Sequence, residues 1–279
     1  MKKFLAVFDG YKFSKSTADY AVQLAQLNNA YLTGVFLDEF IYGTYDWNKI
    51  YKTYKDPEAA IKRLELKDQQ KRDNAVKLFQ HTCSKAGIHF NIHRDKKIAI
   101  QELKQESMFA DLVIISRHET FSRYREKAPT RFIKDLLGGV QCPVLVVPGQ
   151  FMPLDKIVIL YDGRPSSLHA LKMFSYLLEN LKQLPVEIFT VNDYAENFTL
   201  PHNKLMREFT GRHFPAAKIT VVDGNAEEMI IKHLSHHQQN VLVVLGAYQR
   251  SELSRFFKMS MADSLMKGLN TPLFMAHSR

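Results

Sequence analysis

Residues Val241 to Ser260 read VLVVLGAYQRSELSRFFKMS. Five apolar residues, Val241 to Leu245, stop at Gly246, and their length and branching suit a buried strand. Gly246 can take backbone angles that side chains forbid, so a ligand has room to approach there. Asp111 to Thr130, DLVIISRHETFSRYREKAPT, is a weaker version of the same stretch, and proline-led strands follow both, CPVLVV and TPLFMA. The chain therefore reads as a duplication.

Working outward, FLAVFDG (Phe4 to Gly10) lines up without a gap on IVILYDG (Ile157 to Gly163). Five residues after each Asp stands a serine, Ser14 and Ser167, whose short side chain can satisfy free amides where a helix starts. Helices are expected near 16–27 and 167–181, and second strands near 31–37 and 186–191. The first half then inserts FIYGTYDWNKIYKTYKDP before a long charged helix at 57–86, and the second half has a shorter helix near 202–210. Third strands (88–93, 218–222), helices (98–108, 226–236), fourth strands (112–116, 241–246), helices (130–137, 260–267) and fifth strands (144–147, 273–276) complete both copies. Strand, helix, strand at this spacing implies parallel pairing with right-handed crossovers. The fold class is α/β, with two tandem doubly wound domains, 1–149 and 150–279. Each is a five-stranded parallel sheet with helices on both faces.

Ligands of open sheets bind at the carboxyl ends of the strands where the winding reverses. Asp9 and Asp162 end the first strands, and Ser116 and Gly246 end the fourth, so all four are expected to crowd one rim. A single continuous sheet would overturn the doubling.

Composition excludes several classes. At 46% hydrophobic and 24% charged residues the chain is neither disordered nor fibrous. Its apolar runs fall far short of the ~20 residues that cross a bilayer, and MKKFLAVFDG is too short in its apolar part for a secretory signal. A cytoplasmic protein without a membrane partner is expected. The net charge of +9 invites nucleic acid, but the basic residues alternate with acids on helices, as in KRLELKDQQKRD, and no nucleic-acid motif accompanies them. Cys83 and Cys142 read as free thiols. His233, His236 and His237 could share a helix side, yet they read as exposed residues at its carboxyl end, so no metal is expected. Neither a nucleophile with a base nor a paired catalytic carboxylate set stands out, and no catalytic residue is assigned.

The strand-end Asp, the Ser five residues on, the aliphatic strand leading to a glycine loop, and the proline-led last strand together resemble a tandem universal stress protein, across both halves. ATP-binding members carry glycine, two residues, glycine, nine residues, glycine, then Ser or Thr, so that backbone amides and a helix start close around phosphates. Here the second half reads Gly246, Gln249, Met259, Ser260, and the first reads Ser116, Glu119, Pro129, Thr130. The resemblance implies ATP as a candidate ligand of the second half, through Asp162, Gly163, Gly246, Arg250 and Ser260, and a lost site in the first. Asp9 either contacts an adenosine or accepts bonds from its own turn. Arg117, Arg123 and Arg125, with His118, Lys127 and Arg131, could bind an anion by side chain where backbone no longer does. The resemblance further implies a non-catalytic stress-response role, an internal pseudo-dimer built by the last strands, and an adenine nucleotide as partner. A homo-oligomer stays open. Two alternatives remain: an ATP sensor using the second half, and a nucleotide-using enzyme related to ATP pyrophosphatases or electron-transfer flavoproteins.

Overall fold

A computed structural model describes residues 1–37, 47–95, 98–122, 125–192, 199–236, 240–246 and 261–276. The first half runs β1 (Lys3–Asp9), α1 (Lys15–Asn28), β2 (Tyr31–Leu37), α2 (Trp47–Thr53), α3 (Pro57–Lys85), β3 (Phe90–Asp95), α4 (Ala99–Ser107), β4 (Leu112–Ser116), α5 (Arg131–Leu137) and β5 (Val144–Val147). The second runs β6 (Lys156–Leu160), α6 (Pro165–Leu177), β7 (Val186–Asn192), α7 (Asn203–His213), β8 (Lys218–Asp223), α8 (Ala226–His236), β9 (Val241–Gly246), α9 (Met261–Gly268) and β10 (Leu273–Ala276).

The strand order is β3-β2-β1-β4-β5-β10-β9-β6-β7-β8. Each half thus repeats one winding, third-second-first-fourth-fifth, with every pair inside a half parallel. Among the described residues the single antiparallel pair is β5 with β10, Val144 opposite Met275 and Val146 opposite Leu273. It fuses the halves into one continuous sheet. Continuity therefore comes from the junction and does not count against the doubling, because the winding order recurs. The same pair corrects another expectation. Antiparallel joining turns the second half end over end, so Asp9 and Ser116 lie on one rim while Asp162 and Gly246 lie on the opposite one.

Local chemistry explains the helix limits. Ser14 caps α1, its hydroxyl accepting the Thr17 N–H at 3.2 Å, and Asn29 ends the helix in the left-handed region at φ 48°. Asp56 caps α3 by accepting from Ala59, with Pro57 in the first turn where no amide is needed. In the second half the cap position is Arg164, and Pro165 starts α6 two residues before Ser167. The aromatic insertion contributes α2, whose Ile50 packs on Ala60, Ile61 and Leu64 of α3.

Two hydrophobic layers, one per face, each run through both halves. One contains Phe4, Phe8 and Phe79 together with Phe174 and Phe274. The other contains Val7, Ile115 and Ile133 together with Val243 and Met275. Across the seam, Lys2 donates to Leu177 O at 3.0 Å, Tyr20 accepts the Met152 N–H at 3.2 Å, and the Phe151 ring meets the Tyr20 ring edge-on at 4.7 Å.

Candidate functional sites at the two switch points

In the first half the winding reverses between β1 and β4, and the space beyond their carboxyl ends is filled by the chain itself. Asp9 is 1% exposed and its Oδ1 accepts the Tyr11 N–H at 2.9 Å. Glu119 is 4% exposed, and its carboxyl accepts the N–H groups of Asp9 and Thr120. Burial first, and then the neighbouring Asp9 charge, push the Glu119 carboxyl up to about 8, against a smaller pull from Lys12. Phe121 is fully buried, lies tilted against the Phe132 ring with centroids 4.4 Å apart, and holds φ 47°, which costs a bulky residue roughly 1–2 kcal/mol. The Thr130 hydroxyl caps α5 by accepting from Ile133 at 3.3 Å and donates to Glu119 O. Lys12 Nζ donates to Ser122 O at 2.6 Å.

Of the expected anion ligands of this loop, Arg117 is engaged elsewhere. Arg117 reaches across the seam and donates to Met266 O at 3.2 Å, to Leu269 O, and to Asn270 Oδ1 at 2.8 Å. It caps the carboxyl end of α9 in the other half, where a cation meets the negative end of the helix dipole. His118 accepts from Arg117 at 3.3 Å, and burial followed by the Arg117 charge lowers its pKa. Arg125 is exposed, and Arg123 lies outside the described residues.

In the second half the described residues leave a cavity at the corresponding place. A cavity of about 150 Å³ lies between the ends of β6, β7 and β9 and the first turns of α6, α8 and α9. Its walls are apolar through Phe189, Val191, Ile230, Leu245 and Met261, and polar through Asp162, Ser166 and Ser167. Asp162 lies two residues past β6, and its side chain is 53% exposed, in contrast to buried Asp9. Its Oδ1 accepts from Ser167 Oγ at 2.6 Å and from the Arg164 N–H at 3.0 Å, and Arg164 Nε stands 3.6 Å from Oδ2. Gly163 has φ 80°, and a Cβ there would meet Pro201 at 2.6 Å. At Gly246 a Cβ would stand 2.6 Å from the Ser166 carbonyl carbon. The first turn of α6 approaches this glycine, which also lines the cavity. Arg250 and Ser260 lie outside the described residues. A cavity of about 480 Å³ lies by the linker, and one of about 420 Å³ lies between α6 and α7, lined by Tyr161, Gly163 and Arg164 on either side of Asp162.

One buried ionic group was missed. Glu187 on β7 is 2% exposed, accepting from Lys156 and Thr220 at 2.6 Å each and meeting His233 Nε2 at 3.1 Å. Burial alone would raise its carboxyl, but the bonds and charges of Lys156, Thr220 and His233 outweigh burial and hold it at about 2. His233 also stacks on Phe189 at 4.1 Å, so it turns toward the sheet and is not the exposed helix-end residue expected. The signal was a lone acid inside the apolar run VEIFTV. The side chain of His236, and all of His237, lie outside the described residues. Cys83 and Cys142 are free and buried, with burial pushing both thiols up to about 12.

No protein-family model matches the sequence, and no curated protein matches it. Solved structures do. A universal stress protein from Archaeoglobus fulgidus DSM 4304 superposes with a TM-score of 0.71 at 12% identity, covering 99% of this chain and 98% of its own. A putative universal stress protein from Pseudomonas aeruginosa UCBPP-PA14 gives 0.61 at 14%, covering 99% and 93%. The cytoplasmic domain of a prokaryotic cation chloride cotransporter gives 0.51 at 11%, covering 98% and 94%. The chain has the doubly wound α/β fold of tandem universal stress proteins, a fold also carried by a transporter domain.

Proposed function

We propose that this chain is a tandem universal stress protein that acts by binding, with an adenine nucleotide as ligand of its second half only and no catalytic step. The observation that carries the reading is the contrast between the two switch points. Asp9, Glu119 and Phe121 occupy the first, while at the second the described residues leave Asp162 beside a lined cavity. About 150 Å³ is less than the roughly 300 Å³ or more of most small-molecule pockets, so the described walls suit one ring system, with the rest of the ligand outside them. The apolar walls would stack the ring. Asp162, aligned by Ser167 and Arg164, would accept from a hydroxyl or ring N–H, and Arg164 stands ready for negative charge. In the first half buried Asp9, Glu119 and Phe121 take up the corresponding space.

Thermal melting with and without magnesium and ATP tests this. A ligand at a hundred times its dissociation constant adds about 2.7 kcal/mol. The melting temperature should rise at millimolar ATP, the rise should vanish in Asp162→Ala, and ATP should be recovered intact. An unmoved melting temperature removes the nucleotide, and phosphate release above background removes the non-catalytic reading. The cytoplasmic setting belongs to this proposal. No helix among the described residues is long and apolar enough to cross a membrane.

A further inference from the structure

Side chains of β6 alternate between the two faces of the sheet, and the ladder continues one residue past it, the Tyr161 N–H bonding Phe189 O at 3.0 Å. Leu160 joins the layer under α8 and α9, whereas Tyr161 joins Ile157 and Ile159 in the layer under α6 and α7. There it lines the cavity of about 420 Å³ between those two helices. Tyr161 is 4% exposed, yet among the described residues its hydroxyl has no hydrogen-bond partner. A buried phenol usually has one. Burial, and then the Asp162 charge, raise its pKa, so at neutral pH the hydroxyl keeps its proton and can donate it. The other walls are mostly apolar, Pro165 and Leu168 from α6 and Leu205, Met206 and Phe209 from α7. Leu205 is 66% exposed, an apolar side chain held at the mouth.

We propose that this cavity is a second ligand site, for a small aromatic carboxylic acid whose ring lies between α6 and α7 and whose carboxylate accepts from the Tyr161 hydroxyl and pairs with Arg164. Its volume falls within the roughly 300–1,000 Å³ of small-molecule pockets. Along α7 the lining runs from His202 to Phe209, about 10 Å at 1.5 Å per residue, which suits one or two fused rings and is too short for a long acyl chain. Aromatic and thioether walls favour a ring. The Arg164 side chain is exposed, and its Nε stands 3.6 Å from Asp162 Oδ2, beyond hydrogen-bond reach, so its fork can turn to a second carboxylate. His202 lines the same mouth, while Asp162 beside Arg164 disfavours a doubly charged phosphate. The site is separate from the proposed nucleotide site, since the smaller cavity is walled by the opposite layer through Leu160, Ile230 and Leu245, and only Tyr161 borders both.

Titration of the full chain with 2-naphthoate, free of nucleotide and carrying carbon-13 at its leucine and methionine methyls, tests the site. The methyl signals of Leu168, Leu205 and Met206 should shift together and saturate as a single site. Tyr161→Phe should weaken binding roughly threefold to tenfold, the worth of one hydrogen bond, and Arg164→Gln by at least as much. The neutral analogue 2-naphthalenemethanol should bind more weakly than the acid and be indifferent to Arg164→Gln. Leu205→Asp, a change at an exposed position, should abolish binding while the remaining methyl signals stay in place. No shift of the three methyls at millimolar 2-naphthoate, shifts that survive Leu205→Asp, or acid and alcohol binding equally well would overturn the proposal, as would full affinity in Tyr161→Phe. Because no ATP is added, failure here leaves the nucleotide reading untouched, and failure of ATP binding leaves this site untouched.

Discussion

Gly246 is fixed by crowding: a Cβ 2.6 Å from Ser166 backbone must push α6 off β9. Gly246→Ala should cost about 1–3 kcal/mol, the usual price of overpacking, read as a lower denaturant midpoint with an unchanged slope. Two acids give pH dependences of opposite sense. Glu187 is depressed to about 2 from an ordinary 4.5, so its contribution is present above about 4.5 and is lost as pH falls through about 2. Glu119 is raised to about 8, so between 4.5 and 8 the folded chain binds more protons than the unfolded one, and stability falls as pH rises across that window. Melting curves at pH 5 and 8 should show Glu119→Gln losing less stability than the wild type. Equal slopes would contradict this. The sequence revealed Glu119 as a residue wrong for phosphate, but its burial needed the third dimension. Nothing in FSRYR distinguishes a solvent loop from one that buries Phe121.

At the scale of elements, most strands were readable because both faces of a parallel sheet are covered, leaving near-continuous apolar runs such as VLVV and LVIIS. Helix α6 starts at Pro165, two residues before the expected Ser167. Pro165, suited to a first helical turn, was the better sign, and Ser167 instead braces Asp162 from inside the helix. Arg117 could not be read at all, since its partners on α9 lie about 150 residues away. Removing it should leave the last carbonyls of α9 without their cation. Arg117→Ala should therefore destabilise the chain by about 1–3 kcal/mol, and Arg117→Lys should recover only part, because an ammonium cannot serve three acceptors in one plane. Equal stability of all three proteins in urea would contradict the cap.

For the whole molecule, the duplication was plain from two aligned halves, whereas the direction in which they join was not. Four-residue apolar strands such as VLVV and LFMA pair equally well either way, and only the packing of helices on both faces chooses. The antiparallel choice sends the two switch points to opposite rims, so each half can keep or close its own cleft. It also leaves β5 as an open edge if the halves are separated. Residues 1–149 alone should self-associate through that edge, and adding 150–279 should recover a one-to-one complex by light scattering. A stable monomer of 1–149 would show that the junction is not needed to cover β5. The division of labour between the rims is the central claim, and calorimetric titration of the full chain with magnesium ATP tests it most directly. One equivalent bound per chain, abolished by Asp162→Ala and retained in Asp9→Ala, is the expected result. Two equivalents, or a single site that survives Asp162→Ala and disappears with Asp9→Ala, would contradict it.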